Sequence, residues 1–282
     1  MVLEEFFKPD WVRHRPYLAF VFGLFYTFIA FFITAFFFRG MMSVAMVFLT
    51  AILLVPTLLL LVKKEEGIER KYGLKHFFKN HKDIFEVYLF SFLGVFFAFV
   101  ILGLATYNNP DVYGSLFDFQ ARFLEFQQVD DGVIEGFVAG TLQPSALQVV
   151  DIFAHDVVVV MICFILSLFY GASAIFLIIL NGSIFASFIV MVIRTIGQNA
   201  IAGLQAFLFF LIHLIPEISG FLLAAIAGGV VSKAILHEKK GSKGFKNVFK
   251  DATVLILIAV GLVLLAAVLE VFVTARLFQV FF

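Results

Sequence analysis

Four residues interrupt long runs of Leu, Ile, Val and Phe: Asn181, His213, Glu217 and Glu270. A polar group held among apolar neighbours needs a partner, so each marks a packing contact or a place where chemistry is done. The sharpest motif is His213-Leu-Ile-Pro216-Glu217. Its four-residue spacing puts imidazole and carboxylate on one helical face. Such a pair can hold a kink by hydrogen bonding, pass a proton or cation, or bind a metal with the glutamate as base. The H-E-x-x-H zinc spacing is absent, and His155 and Asp156 can add ligands only from the outer end of another span. The expected role is therefore a structural pair, with no catalytic residue, metal or cofactor assigned. Pro216 removes an N–H and crowds the carbonyl of Ile212, so the helix must kink or restart there. A restart would set Glu217 in a first turn, where the helix dipole favours it.

Asn181-Gly182 falls near the middle of the apolar stretch Ile175–Ile193, among Gly171, Ser183, Ala186 and Ser187. Small residues let helix backbones approach and supply hydroxyl bonds across the contact, so close packing is expected. A helix break or a ligand position is the alternative. Glu270 lies near the outer end of the last apolar run, within reach of an ion pair with Arg194 or Arg276.

The elements that carry these residues follow from composition. Apolar residues make up 62% of the chain, charged residues 14%, and the mean hydropathy is +1.06. Soluble domains are about half apolar and about a quarter charged. Water cannot solvate that excess at this chain length, and lipid can. The fold class is therefore an all-α, polytopic membrane bundle. The forty-one Phe residues are spread through the apolar runs as lipid-facing and inter-helix packing. The formal net charge is zero, which gives no footprint for nucleic acid. A lone cysteine, Cys163, excludes an intramolecular disulfide and a Cys-based metal cluster. The mixed charges, prolines and Trp11 of residues 1–16 do not form a cleavable signal peptide.

A span needs about 20 apolar residues. Tyr17–Phe38, Met41–Val62, Val87–Thr106 and Ala252–Thr274 qualify. The stretches 147–196 and 201–236 together hold three further crossings. Either stretch can hold two, and the preferred division is Ala146–Tyr170, Gly171–Arg194 and Ile201–Leu236, the last kinked or broken at Pro216. Sixteen of the twenty basic residues lie before residue 17, in Lys63–Lys82 or in Lys233–Lys250. The positive-inside rule places those segments in the cytoplasm. Segment 107–156 has Arg122 alone against eight acidic residues and is expected outside. Parity then gives seven crossings, a cytoplasmic N-terminus and an extracytoplasmic C-terminus. Within the outer segment, Asp111–Gln128 reads as an amphipathic helix with Val112, Leu116, Phe119, Phe123 and Phe126 on its apolar face. It is expected on the outer membrane surface or as a cap over the bundle. The chain divides into an N-terminal hairpin with its basic connection, 1–86, and a second membrane unit, 87–282.

Two segments resemble the stage II sporulation protein M family of integral membrane proteins. One is Gly171-Ala-Ser-Ala-Ile-Phe-Leu-Ile-Ile-Leu-Asn181-Gly182, similar to a small-residue segment closing on Asn-Gly. The other is Phe210–Gly228, similar to a His-Gly-x-x-Glu-type segment running into a small-residue helix. Leu214 stands where that pattern has Gly, and Pro216 precedes the Glu. The resemblance covers roughly residues 80–275 and implies a non-enzymatic membrane scaffold. Such a scaffold would be a homo-oligomer in the bilayer that presents 107–156 to an extracytoplasmic protein partner. The alternative is a transporter or channel-like protein with an ion, proton or lipid path past Asn181, His213 and Glu217, because broken helices at mid-membrane bind ions in secondary carriers. A third reading is an intramembrane hydrolase with metal at His213 and Glu217.

Overall fold

In the computed structural model, residues 15–75, 77–126, 145–170, 173–196, 200–239 and 241–281 are described. Expectations for Trp11, Lys8 and Arg13, and for the acidic residues Asp130, Asp131 and Glu135, fall outside them. The described residues are helical, without strands. The helices are α1 (Tyr17–Phe37), α2 (Met42–Tyr72), α3 (Phe77–Thr106), α4 (Pro110–Phe126), α5 (Ala146–Tyr170), α6 (Ser173–Ile196), α7 (Ala200–His237), α8 (Lys243–Leu269) and α9 (Ala275–Phe281). A short 3-10 turn, Arg39–Met41, joins α1 to α2, and a π-helical turn, Glu270–Thr274, joins α8 to α9. Among the described residues, seven helices are long and apolar enough to cross a membrane. The three crossings between 146 and 237 fall where the preferred division put them.

Charge and polarity order the ends. The α2–α3 and α7–α8 connections meet at one end, hereafter the basic end. Arg70 pairs with Glu238 at 3.0 Å there, and Asn247 donates to the Arg70 carbonyl at 3.4 Å. At the opposite end, the Arg194 guanidinium lies over the rings of Tyr107 and Tyr113, 4.4 and 4.8 Å from their centroids.

Helix α7 is the axis of the bundle and packs on α2, α3, α5, α6 and α8. Every residue from Glu217 to Val231 is buried, so this segment has no lipid face. Its small residues explain how so many neighbours fit. A methyl added at Gly220 would meet the Ala259 carbonyl oxygen at 2.9 Å, and one at Gly228 would meet the Phe164 carbonyl oxygen and the Ser167 side chain. Ser167 also donates to the Ala225 carbonyl at 2.6 Å. In a bilayer, such close backbone contact and hydroxyl bonding supply the association that water would otherwise drive. Helices α1 and α3 cross the same way at Gly23 and Gly94. Phe25, Phe32, Phe36 and Phe169 project outward, as lipid-facing residues should.

Helix α4 differs from its expected register. Its buried face is Leu116, Phe117, Gln120 and Leu124, with Phe119 and Phe123 only half-buried at the margin. The face turns because Gln120 donates to Ser183 of α6 at 2.9 Å, and Ser43 of α2 accepts from the Phe119 N–H at 3.2 Å. A polar side chain with a partner belongs to the packed face, which apolar periodicity alone misses. The helix is thus built into the bundle against α2, α3 and α6.

Candidate functional site

The His213–Glu217 motif sits on an unbroken helix. Helix α7 runs through Pro216 without restarting, so Glu217 is an interior helical residue rather than part of a first turn. The Ser219 hydroxyl donates to the Ile215 carbonyl at 2.6 Å, one turn back, beside the proline. His213 and Glu217 therefore keep the shared face that their spacing implies, and both are buried.

Opposite His213 is the π-turn. Its extra residue per turn is closed by the Ala275 N–H bonding the Glu270 carbonyl, and the turn carries Thr274 to α7. His213 Nδ1 lies 3.0 Å from Thr274 Oγ1, and that hydroxyl reaches the Phe209 carbonyl at 3.4 Å. With the hydroxyl proton on the carbonyl, Oγ1 accepts from Nδ1–H and selects that imidazole tautomer. The Phe210 ring packs edge-on against the imidazole, with centroids 4.9 Å apart. His213 is thus held on two sides, by a hydroxyl and a phenyl ring, one turn from Glu217.

Glu217 has a different setting. The carboxylates of Asp156 on α5 and Glu270 on the π-turn are close enough to act on its charge, and Asp156 with His155 acts on Glu270. Asp156 is buried, and the half-exposed His155 ring lies 3.3 Å from it. Asp156, Glu217 and Glu270, from three helical segments, thus lie within electrostatic range of one another, with His155 beside Asp156 and His213 one turn from Glu217. Like charges gathered in apolar surroundings need positive charge among them, as protons or a bound cation. Single π-turns inside α-helices recur at functional sites, and this one presents both Glu270 and Thr274 to α7.

Other expectations fare differently. Asn181 and Gly182 lie within the unbroken helix α6, so the helix-break alternative is not taken. Gly182 abuts the Phe92 ring, where an added methyl would meet Cε2 at 3.0 Å, and Asn181 is half-buried. Arg194 stacks on two tyrosines and Arg276 is exposed, while the charged neighbours acting on Glu270 are Asp156 and His155. By sequence, Asp156 is considered only as a ligand reaching the motif from the outer end of another span, and Thr274 is not singled out at all. A carboxylate ten residues into α5, followed directly by Val157–Val160, was the available signal.

The arrangement defines a class: a multi-pass helical membrane protein with buried Asp156 and Glu217 and half-buried Glu270 placed within electrostatic range on three of its helical segments. The family model for stage II sporulation protein M matches residues 91–275, and the chain belongs to that family. The match begins inside α3 and ends at Ala275, so it takes in the whole acidic cluster and leaves out α1 and α2. No curated protein and no solved structure matches the chain.

Proposed function

We propose that this chain is a membrane transport protein in which Asp156, Glu217 and Glu270 bind a proton or monovalent cation. The observation that supports the reading is that three carboxylates, from α5, α7 and the π-turn, lie within electrostatic range of one another in an otherwise apolar bundle. Ionisable groups inside membrane helices are costly and mark ion or proton pathways by default. The π-turn gives a means of exchange. It can pass its extra residue along the helix, and that shift would move Glu270 and Thr274 relative to α7. His213, held by Thr274, would report the shift to the helix that carries Glu217.

Proteoliposomes loaded with a pH-sensitive dye test this. Pulses of Na⁺, K⁺ or acid should move protons or cations faster in wild-type vesicles than in empty ones. Glu217→Gln and Glu270→Gln should each abolish the difference. Wild-type vesicles as tight as empty ones under all three pulses would rule the reading out.

A second reading, a scaffold that presents segment 107–156 to a partner, draws on the exposed Asp111, Asp118 and Glu125 of α4. These carboxylates face away from the packed side of a helix anchored by Gln120 and Ser43. Under that reading, Glu217→Gln changes stability or assembly and moves nothing across a membrane.

A further inference from the structure

A second buried charged cluster lies at the basic end, beyond the apolar stretches of α2, α3 and α8. Glu65 and Glu69 stand one turn apart on α2, and His81 faces them from α3. Glu65 Oε1 is 2.7 Å from His81 Nδ1, and Glu69 Oε1 is 3.5 Å from the same nitrogen. Asp251 of α8 approaches the opposite ring nitrogen, Nε2, at 3.5 Å. All four side chains are at most 5% exposed, and Glu69 and Asp251 are fully buried. Neither oxygen of Glu69 and neither oxygen of Asp251 has a hydrogen-bond partner among the described residues. Glu69 and Asp251 are thus the members of the set left short of donors. Glu66, also buried, adds a fourth carboxylate.

Buried carboxylates without donors are among the costliest groups in a fold, and buried charges are otherwise paired or coordinate metals. The geometry points to a divalent metal site: one ligand atom each from Glu65, Glu69 and His81 lies within 4.8 Å of the others, wide enough to surround one ion. We infer that Glu65, Glu69 and His81 Nδ1 bind a first-row divalent transition ion, with Asp251 as a positioning residue that accepts Nε2–H of the ligating imidazole. A carboxylate behind a metal-bound histidine is the usual device for fixing its tautomer and orientation. Two carboxylates and one imidazole suit Mn²⁺, Co²⁺ or Zn²⁺ better than Mg²⁺ or Ca²⁺, which prefer all-oxygen shells. The three protein ligands leave further positions for water. The Phe77 ring covers one side of the imidazole, with centroids 4.5 Å apart. The site ties α2, which lies outside the family match, to α3 and α8. It is separate from the Asp156–Glu217–Glu270 cluster, and its test does not depend on transport.

Purified full-length protein, stripped with a chelator and dialysed against Zn²⁺, Mn²⁺ or Co²⁺ singly, should retain one ion per chain. X-ray absorption of the Co²⁺-loaded protein should show one imidazole nitrogen in an otherwise oxygen shell. Glu69→Gln and His81→Gln should abolish stoichiometric retention. Asp251→Asn should weaken binding by about 10- to 100-fold. Glu217→Gln should bind as wild type. Should the ligand variants fail to fold, wild-type protein alone still decides: chelation must lower its melting temperature and re-added ion must restore it. Sub-stoichiometric retention of all three ions, a shell without imidazole, or full retention in His81→Gln would each overturn the inference.

Discussion

The crossing of α1 and α3 gives a prediction whose sign is fixed by geometry. Gly94→Ala would bring its new methyl against the carbonyl oxygen of Phe20, with the Phe20 carbonyl carbon at 2.9 Å and the Leu24 nitrogen at 3.0 Å. These are backbone atoms of a helix, so no rotamer change relieves the contact and the two helices must separate. Separation also disturbs the Phe20–Phe97 edge contact, with centroids 5.8 Å apart, and the approach of Gly23 to the Ser91 carbonyl. Overpacking of this kind costs about 1–3 kcal/mol. Because the obstruction is backbone, the upper part of that range applies, a loss of roughly 100-fold in the folded ratio. Gly261→Ala on α8 is the matched control. An added methyl there meets nothing within 4 Å, and the helix gains up to about 1 kcal/mol from the lost glycine. Unfolding in mixed micelles titrated with a denaturing detergent, followed by circular dichroism, should give opposite shifts. Equal stability of the two variants would refute the backbone-contact account of how α1 is held.

Two further outcomes follow from single contacts. Thr274→Val keeps the shape of the π-turn but removes the partner of His213 Nδ1, leaving a buried donor unmet. It should cost about 1–3 kcal/mol in the same titration, and a neutral result would mean that His213 is held by something else. Gln120→Leu removes the bond to Ser183 that ties α4 to α6. Protease added to intact protein should cut within residues 107–145 at least several-fold faster in this variant, and unchanged cleavage would show that α4 is held by Leu116 and Phe117 alone.

Lipid imposes the membrane fold on composition, which is why the seven crossings and the division of 146–237 were legible before any coordinates. Apolar runs must be about as long as the bilayer is thick, and small residues must lie where backbones meet. Polar convergence is different, because it depends on rotation and depth across separate helices. His213 and Glu217 could be paired from spacing alone. Their partners Thr274 and Asp156 come from other helices, and Thr274 reaches His213 only because a π-turn adds a residue that no periodicity announces. The Gln120 face of α4 was lost for the same reason: a glutamine counts as polar until its serine is known.

The basic end shows the most instructive case. Residues 63–82 carry seven Lys and Arg, and that excess marks them as the basic connection between two spans. Most of this stretch is helix, with α2 running to Tyr72 and α3 starting at Phe77. Once it is helical, the spacing Glu65-x-x-x-Glu69 defines one inward stripe, and a tight turn at Gly73 folds His81 back onto it. Gly73 adopts a positive φ of 54°, which glycine accepts without strain, and its space is bounded by Asn247 of α8. The same packing brings Asp251 within reach. A charge count over the segment averages exposed cations with buried anions and so conceals both. Helical register separates them, and the separated anions are what require a cation at their centre.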